Sequence, residues 1–561
     1  MAAPQSKQIN ALLRKVFGIA ALRDGQRGVI DSVLAGHDTL AVMPTGSGKS
    51  LCYQLPARLL DGMTVVVSPL ISLMKDQAEK IEEAGIASAA QINSSLSRGE
   101  ELAALEGIET ADHDIVFCTP ERLITPEFLA LLKQASIALV VIDEAHCISQ
   151  WGHDFRPAYL EIGAALEALG RPQVLALTAT ATDDVIADIR AQLGRPRMSV
   201  VNTGIYRPNL HYRVKQVTNP SEKAAQALQL VRDTSGVGII YAATVKAAEE
   251  MHAQLQEAGE SVTLYHGKLR AAERSANQNL FMSGERRVMV ATNAFGMGID
   301  KPDTRFVIHL QVPANLEAYY QESGRAGRDG LDAECTLLYY HADKRLQQFF
   351  LIKHYPQAEE LRAVYDAAAA HVAEGAATFT DKELKPRLEQ MPASQLKICL
   401  KMLKDGKLLK RSRKLDYALT RLAGGAAAPK AAQYQQMAQI YADKHERDRE
   451  GLEQMVGYAQ SGYCRWKLLL DYFGDAAPGF EHCCKCDNCL APPAIQDAPA
   501  TLDAQDAAAM VPAVTTATPA PPATTVAALA DVAPGAPEGL APAPLVAAIG
   551  ATALRRTAGT V

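Results

Sequence analysis

Residues 39–50 read TLAVMPTGSGKS, an apolar run followed by a glycine-rich turn and a Gly-Lys-Ser sequence. This order predicts a buried strand, a loop and the first turn of a helix. Strict versions of the phosphate-loop motif have Gly or Ala where Met43 stands. The strand before the turn and the amphipathic stretch after it support the prediction, against a chance match within an ordinary loop.

Five residues of this turn are expected to bind a nucleoside triphosphate. The backbone N–H groups of Gly46, Ser47 and Gly48 can wrap a phosphate without obstruction by side chains. Lys49 would reach the β- and γ-phosphates, and Ser50 would bind Mg²⁺. The sequence therefore predicts an ATP site at the end of the first strong strand.

A second apolar run, ALVVIDEAH at 138–146, ends in two carboxylates. Asp143 would hold Mg²⁺ through water, and Glu144 would orient and activate the attacking water. Alone, the tetrapeptide DEAH also fits a solvated turn. After a hydrophobic strand and downstream of the phosphate-loop sequence, it indicates ATP hydrolysis.

The rest of the first 340 residues alternates between short apolar runs and amphipathic stretches, which is typical of buried parallel sheets joined by helices. Two tandem α/β units are the simplest account. The apolar runs lie at 39–43, 64–68, 114–118, 138–143 and 173–178, then at 237–242, 261–266, 287–292 and 305–310.

Residues 319–330, YYQESGRAGRDG, place Gln321, Arg325 and Arg328 at helical spacing. Two arginines in a glycine-rich setting suit a γ-phosphate held across a cleft. The alternative is a basic helix end on the surface.

Downstream of the α/β units the pattern changes. Helical stretches at 359–375, 381–391 and 394–406 precede a short period-2 segment at 407–420, the element order of a winged helix. A compact basic patch near the wing would contact phosphates, or else be a solvated helix end; it comprises Lys404, Lys407, Lys410, Arg411, Arg413 and Lys414. From residue 491 onward the chain is rich in Ala, Pro and Thr, which predicts a disordered tail.

Cysteines crowd one segment of the chain. Cys464, Cys483, Cys486 and Cys489 give the spacing C-x18-C-x2-C-x2-C, which lets four thiolates converge on one Zn²⁺. Cys484 is an extra thiol that competes with Cys483, and the x2 spacing to Cys486 favours Cys483. Four thiolates leave no open position, so we expect a structural role rather than reduced, unliganded cysteines.

Composition bounds the class of protein. The net charge is −6 and the pI about 6.1, so contact with nucleic acid must come from local basic patches. The N-terminus lacks the order of a signal peptide, and no apolar run is long enough to cross a bilayer. We expect a cytoplasmic protein without membrane partners, associated with the nucleoid in a bacterium.

The motifs together closely resemble the ordered superfamily 2 motifs of RecQ DNA helicases. The most specific stretch is DEAHCISQWGHDFRP, because DEAD-box and DEAH-box RNA helicases lack the extension that follows the DEAH tetrapeptide here. The resemblance covers about residues 8–345 and resumes at 433–490. The matching stretches are LRDGQ (22–26), MPTGSGKS (43–50), VVVSPLISLMKDQ (65–77), VIDEAHCISQWGHDFRP (141–157), ALTATAT (176–182), YRPNL (206–210), VATNAFGMGIDKPD (290–303) and YYQESGRAGRDG (319–330).

The resemblance implies residue roles. Arg328 would be an arginine finger and Arg325 a second γ-phosphate contact. The nucleotide would be bound by Arg23, Gln26, Thr45, Gly46, Ser47, Gly48, Lys49, Ser50 and Gln321, with Gln26 and Arg23 recognising adenine. His146, Trp151, Phe155 and Arg156 would couple DNA binding to hydrolysis, with the two aromatic rings stacking on unpaired bases. Core packing is the alternative for Trp151.

The resemblance also implies organisation and activity. We expect RecA-like domains at 1–204 and 205–345, an inserted winged helix at 346–430, a zinc-binding helical module at 431–490 and a tail at 491–561. ATP, Mg²⁺ and Zn²⁺ are the expected cofactors, and single-stranded and duplex DNA the expected partners. The tail is a candidate contact for single-strand-binding or recombination proteins. The predicted activity is 3′-to-5′ DNA unwinding in recombination and repair; the alternatives are a DNA-stimulated translocase without strand separation and a DNA-binding regulator with a vestigial nucleotide site.

Overall fold

The computed structural model describes residues 3–23, 25–94, 96–149, 156–296, 301–352, 356–411, 416–420 and 429–492. Trp151, Phe155 and nearly all of the predicted tail at 491–561 lie outside these ranges. No helix in the described ranges is both long and apolar enough to span a membrane.

The first lobe contains a seven-stranded parallel sheet in the spatial order β3-β4-β2-β5-β6-β1-β7. The strands are β1 (Thr39–Val42), β2 (Met63–Val67), β3 (Ala89–Ile92), β4 (Ile115–Cys118), β5 (Ile137–Ile142), β6 (Val174–Thr178) and β7 (Ser199–Asn202). The helices are α1 (Ala3–Lys15), α2 (Gln26–Leu34), α3 (Leu51–Ala57), α4 (Ile71–Glu83), α5 (Arg98–Glu109), α6 (Pro120–Leu123), α7 (Pro126–Leu132), α8 (Pro157–Leu160), α9 (Ile162–Ala168) and α10 (Asp183–Gln192), with a 3₁₀ turn at Ala145–Ile148.

Burial on both faces explains why the strands of this sheet are almost continuously apolar. Leu40 and Val42 pack into one hydrophobic cluster, and Ala41 and Met43 pack into another on the opposite face. Every residue of β1, β2, β4 and β6 is buried. A parallel sheet covered on both sides selects apolar residues at every position instead of alternating ones. The strands predicted in this region are confirmed.

The second lobe contains a six-stranded parallel sheet in the order β10-β11-β9-β12-β13-β8. The strands are β8 (Leu210–Gln216), β9 (Val237–Tyr241), β10 (Val262–Tyr265), β11 (Val288–Ala291), β12 (Thr304–His309) and β13 (Ala333–Tyr339). The helices are α11 (Pro220–Asp233), α12 (Val245–Glu257), α13 (Ala271–Met282), α14 (Leu316–Ser323) and α15 (Asp343–Ile352). The predicted fold class, two tandem parallel-sheet units, is confirmed.

A small helical domain with its own core follows the second lobe. It comprises α16 (Ala358–Ala373), α17 (Asp381–Leu384), α18 (Ala393–Asp405) and an antiparallel hairpin of β14 (Leu409–Arg411) and β15 (Tyr417–Leu419). The helix predicted at 381–391 ends early, and a 3₁₀ turn at Lys385–Arg387 replaces its middle. Pro386 lacks an N–H group and stops the α-helical ladder there. The assignment of this domain as a winged helix stays a prediction.

The last described part contains a long helix and the cysteine segment. Helix α19 (Ala431–Gln460) is followed by α20 (Arg465–Tyr472) and α21 (Asp487–Leu490). Tyr434, near the start of α19, packs in the core of the small domain, whereas Leu452, Met455 and Val456 pack in the core of the second lobe. One helix thus joins two hydrophobic cores.

Candidate active site

A cavity of about 470 Å³ lies where the two lobes meet. Most of its lining comes from the first lobe, and Pro302 and Arg328 come from the second. The first-lobe residues are Ile19, Ala21, Arg23, Gln26, Thr45, Gly46, Gly48, Lys49, Ser50, Leu51, Tyr53, Leu73, Gln77, Asp143, Glu144 and Leu177. The cavity therefore gathers residues that are hundreds of positions apart in the chain.

The loop after β1 has the backbone conformation that its glycines predict. Gly46 and Gly48 have φ angles of 83° and 80°, in the left-handed region that residues with a Cβ rarely adopt. The Lys49 ammonium donates a hydrogen bond to the carbonyl of Met43 at 3.1 Å. Burial lowers the pKa of Lys49, and the neighbouring carboxylates Glu144 and Asp143 raise it. The half-buried Lys49 side chain thus lies between the loop and the two acids.

Arg23 and Gln26 hold the phosphate loop from the side of α2. The Gln26 side-chain amide donates to the carbonyls of Ser47 and Gly48 at 2.9 and 3.1 Å. Its oxygen accepts a hydrogen bond from the Arg23 backbone N–H at 2.8 Å, and the Arg23 guanidinium bonds the Gly46 carbonyl. Both residues line the cavity, as adenine recognition requires, and that role stays a prediction.

The two carboxylates after β5 face the same cavity. Asp143 accepts hydrogen bonds from the Glu144 backbone N–H at 3.0 Å and from the Ser68 hydroxyl at 3.5 Å. Burial and the adjacent Glu144 raise the pKa of Asp143 to about 7. The buried Glu144 Oε2 accepts no hydrogen bond from the described residues. The ring nitrogen Nδ1 of His146 lies 3.4 Å from this atom, and an acceptor left without a hydrogen bond suits a water molecule, which can donate one.

Gln77 is a cavity residue to which the sequence assigned no role. Its side-chain amide donates to the Ser50 hydroxyl at 3.1 Å, and its oxygen accepts from the Tyr53 hydroxyl at 2.9 Å. The bond to Ser50 uses one lone pair of the predicted Mg²⁺ ligand and thereby orients the other. The only signal in the sequence was its place at the end of VVVSPLISLMKDQ.

The second lobe touches the phosphate loop through the segment after α14. A Cβ built on Gly46 would lie 3.1 Å from Arg328 Cγ, and one built on Gly324 would lie 3.6 Å from Thr45 Cβ. Arg328 thus reaches the cavity at its phosphate-binding end. Gln321 and Arg325 are not among the residues that line it. Arg325 is buried. The γ-phosphate contact assigned to Arg325 and the nucleotide contact assigned to Gln321 stay predictions.

The residues predicted to respond to DNA are only partly described. His146 is buried, with Nδ1 3.0 Å from the Thr178 hydroxyl and 3.4 Å from Glu144 Oε2. Arg156 donates to the carbonyl of Pro69, just before α4, at 3.2 Å. The His146 contacts lie next to the carboxylates, and the Arg156 contact lies just before the helix that carries Gln77. Both positions are compatible with coupling DNA binding to hydrolysis, and that role stays a prediction.

The four cysteines predicted to bind zinc lie together. The sulfur atoms of Cys464, Cys483, Cys486 and Cys489 are all within 4.8 Å of one another. Zn–S bonds of about 2.3 Å in a tetrahedron separate the sulfurs by about 3.8 Å, so the group fits Zn²⁺. Hydrogen bonds from Cys483 and Cys486 lower the pKa of Cys464, which favours a thiolate. The exposed Cys484 is not part of the group.

The cysteine segment is anchored on the edge strand β8 of the second sheet. Asp487 accepts a hydrogen bond from the Val214 backbone N–H at 2.8 Å and pairs with Arg465 at 2.9 Å. The Trp466 indole donates to the carbonyl of Leu210 at 3.0 Å. The module thereby satisfies main-chain groups that an edge strand would otherwise expose.

Comparison with known proteins gives these features a context. The chain matches the DEAD/DEAH box helicase family over residues 23–189, the helicase conserved C-terminal domain over 222–330 and the RecQ zinc-binding domain over 430–490. It is 42% identical over 358 residues to a protein of Bacillus subtilis named probable ATP-dependent DNA helicase RecS, covering 64% of this chain and 72% of that protein. The chain belongs to the RecQ family of ATP-dependent DNA helicases.

Other members of the RecQ family match over a similar part of the chain. The ATP-dependent DNA helicase RecQ of Bacillus subtilis is 46% identical over 343 residues, which cover 61% of this chain and 58% of that protein. For RecQ of Pasteurella multocida the identity is 41%, over 59% of this chain and 52% of that protein. The chain thus spans little more than half the length of these two relatives.

Solved structures share the fold at low sequence identity. The helicase MrfA bound to DNA aligns with a TM-score of 0.52 at 19% identity, covering 77% of this chain and 64% of that one. For a RecQ-family chain, the matched helicase domains imply ATP and Mg²⁺ as cofactors. The zinc-binding match and the cysteine group identify Zn²⁺ as the third cofactor.

We expect Cys486→Ser to abolish zinc binding and to lower the melting temperature of this RecQ-family protein. Structural zinc sites contribute apparent binding free energies of about 10 kcal/mol or more. Here the same energy also stabilises the packing of the cysteine segment on the edge strand β8. Zinc content by atomic spectroscopy and thermal unfolding by circular dichroism measure both effects. The control is Cys484→Ser, which removes an exposed neighbour outside the group. A Cys486→Ser protein that kept one zinc and the parent melting temperature would contradict the assignment.

Proposed function

We propose that the chain unwinds duplex DNA in the 3′-to-5′ direction, with ATP hydrolysis between the two lobes driving its movement along one strand, in recombination and repair. The observation that carries the proposal is the shared cavity, where Lys49 and Glu144 of the first lobe lie with Arg328 of the second. When residues of both lobes contact the same nucleotide, its hydrolysis changes those contacts and lets the lobes move relative to each other. The residues that we assign to the reaction are Lys49, Ser50, Asp143, Glu144, Arg325 and Arg328.

Unwinding of tailed duplexes tests this proposal. Duplexes with a 3′ tail, with a 5′ tail and with blunt ends should be incubated side by side with the protein, ATP and Mg²⁺. We expect ATP-dependent release of a strand from the 3′-tailed duplex only. DNA-stimulated hydrolysis without release from any of them would favour the translocase alternative. Hydrolysis that DNA fails to stimulate would refute both.

Helix α18 is the surface that we assign to duplex DNA. Lys397, Lys401 and Lys404 recur at helical spacing and are exposed, and Lys407 and Lys410 extend the basic surface toward the hairpin. A chain with a net charge of −6 binds phosphates only through such local patches. The three lysines of α18 lie on the outside of a domain whose apolar residues form a separate core.

We expect the triple change of Lys397, Lys401 and Lys404 to alanine to weaken duplex binding and to flatten its salt dependence. Each phosphate contact contributes about −0.9 to the slope of log K against log salt, so three lost contacts make the slope shallower by about 2 to 3. Fluorescence anisotropy of a labelled duplex between 50 and 200 mM salt, a range of about fourfold, measures this slope.

The matched control for this change removes three exposed lysines elsewhere, Lys7, Lys133 and Lys246, with the same loss of charge. If the control flattened the salt dependence as much as the α18 variant, the effect would come from net charge and α18 would not be the duplex surface. A slope unchanged in the α18 variant would exclude that surface directly.

The tail at 491–561 and the setting of the enzyme complete the proposal. We propose that the tail, nearly all of which lies outside the described residues, contacts single-strand-binding or recombination proteins. We propose that the enzyme acts in the cytoplasm, at the nucleoid in a bacterial cell.

A further inference from the structure

Arg207 lies in a short segment, residues 205–210, which we call the strap. Only 8% of the residue is exposed. Its guanidinium donates three hydrogen bonds to main-chain carbonyls: to Gly324 at 2.7 Å, to Ala326 at 2.8 Å and to Gly327 at 2.6 Å. A planar guanidinium can hold several acceptors at once, which an ammonium group on a flexible stem cannot reproduce.

The three acceptors surround Arg325 and Arg328, the two arginines that we propose act on the γ-phosphate. Gly324 and Ala326 flank Arg325, and Gly327 immediately precedes Arg328. Asn209 of the strap adds bonds from its side-chain amide to the carbonyls of Gly327 at 2.8 Å and Leu331 at 2.9 Å. The strap therefore fixes the backbone from which both arginines project.

The acceptors of Arg207 are neutral, and this matters for the reaction. A carboxylate at this place would attract the guanidinium groups of Arg325 and Arg328 away from a nucleotide. Carbonyl acceptors satisfy the buried charge of Arg207 without adding a carboxylate beside Arg325 and Arg328. Arg207 does not line the cavity itself.

The zinc module holds the other side of the strap. The Ile205 backbone N–H donates to Asp475 at 2.6 Å, and the Lys485 ammonium donates to the carbonyl of Pro208 at 3.0 Å. The ring of Tyr206 packs edge-on against Trp466 with centroids 4.9 Å apart. The strap is thus held between the cysteine segment and the arginines, and its position depends on both.

We infer that Arg207 is a positioning residue for Arg325 and Arg328, through which the zinc module stabilises the geometry of the ATP site. The inference rests on the proposed function. Preorganised donors act on the transition state and leave ground-state binding largely unchanged. Loss of Arg207 should therefore lower turnover and the affinity for a transition-state analogue, while the affinity for ADP stays the same.

The test compares Arg207→Lys with the parent protein of full length. We expect the DNA-stimulated kcat to fall about 10- to 100-fold, because small displacements of catalytic groups cost up to about 10²-fold. Displacement of a fluorescent ADP should give a Kd for ADP within about twofold of the parent. Addition of aluminium fluoride, which converts bound ADP into a transition-state analogue, should tighten binding in the parent and do so less in the variant, by about the same factor as kcat.

Arg287→Lys is the matched control. Arg287 also donates to three main-chain carbonyls of the second lobe, those of Val231, Thr234 and Gly236, and it does not line the cavity. We expect it to lower the melting temperature without changing kcat or the aluminium fluoride effect. Asn209→Ala is the second test variant if Arg207→Lys does not fold, and we expect a smaller loss of kcat with the same pattern.

Five outcomes are decisive. The selective loss in Arg207→Lys or Asn209→Ala supports the inference. Parent-like kcat in these variants, or equal weakening of ADP and of its aluminium fluoride complex, overturns it. The same selective loss in Arg287→Lys overturns it too, because the effect would then be general to the lobe. A parent protein without DNA-stimulated hydrolysis would refute the proposed function and with it the inference.

Discussion

Replacing Lys49 by alanine is expected to abolish ATP hydrolysis, with a fall in kcat of at least about 10³-fold, and to leave single-stranded DNA binding within about twofold of the parent. Lys49 is half-buried at the phosphate loop, bonded to the carbonyl of Met43 and close to Asp143 and Glu144. Alanine removes the one cation that this loop offers to the β- and γ-phosphates. The surface on α18 that we propose for duplex DNA lies outside this lobe and keeps its side chains.

Two measurements check this prediction. Steady-state phosphate release with saturating single-stranded DNA gives kcat, and anisotropy of a labelled oligonucleotide without nucleotide gives DNA affinity. Lys80→Ala is the control, because Lys80 is an exposed lysine on α4 of the same lobe. Hydrolysis at the parent rate in the Lys49 variant would refute the assignment of the phosphate loop. Loss of DNA binding in parallel with hydrolysis would indicate a misfolded lobe.

Arg328→Ala is expected to lower kcat by about 10³- to 10⁵-fold, the range seen when an arginine finger is lost, with nucleotide affinity changed far less. The reason is geometric. Arg328 packs on Gly46 and lines the cavity from the second lobe, so its charge reaches the nucleotide when the lobes are together. An arginine that acts mainly on the transition state affects turnover more than binding.

Single-turnover hydrolysis and fluorescent-nucleotide binding separate these two effects. Arg286→Ala provides the control, since Arg286 is an exposed arginine of the same lobe and does not line the cavity. Unchanged turnover in Arg328→Ala would exclude the finger. If turnover and nucleotide affinity fell by the same factor, Arg328 would contribute uniform binding and the two-lobe account of hydrolysis would lose its main support.

The sequence predicted what depends on local order. The apolar runs that precede TGSGKS and DEAH follow from strands buried on two faces, and the structure confirms the parallel sheets. The cysteine spacing likewise predicted the group of four thiols, because the x2 spacings bring neighbouring sulfurs together within one short segment. Cys484 lies outside the group of four thiols because it is part of the turn between Cys483 and Cys486, where its φ is 60°.

What the sequence could not predict are contacts between segments far apart in the chain. Gln77 lies next to Ser50 only because α4 packs beside α3, and Arg207 meets Gly324 only because β8 and α14 share one lobe. Such pairs are set by sheet order and helix packing, which periodicity does not encode. The short α17 shows a local failure as well, since helical periodicity outweighed Pro386 in the prediction.

The order in which the chain is synthesised affects how the edge strand β8 is protected, because the cysteine segment that covers this strand comes much later in the chain. Leu210 and Val214 bond to Trp466 and Asp487, partners 256 and 273 residues later in the chain. A growing chain on the ribosome therefore completes the second sheet long before the residues that shield its edge emerge. During that interval the nascent protein has an open strand, which favours pairing with another chain. Shortened products that stop before the cysteines should therefore aggregate rather than accumulate as stable motors.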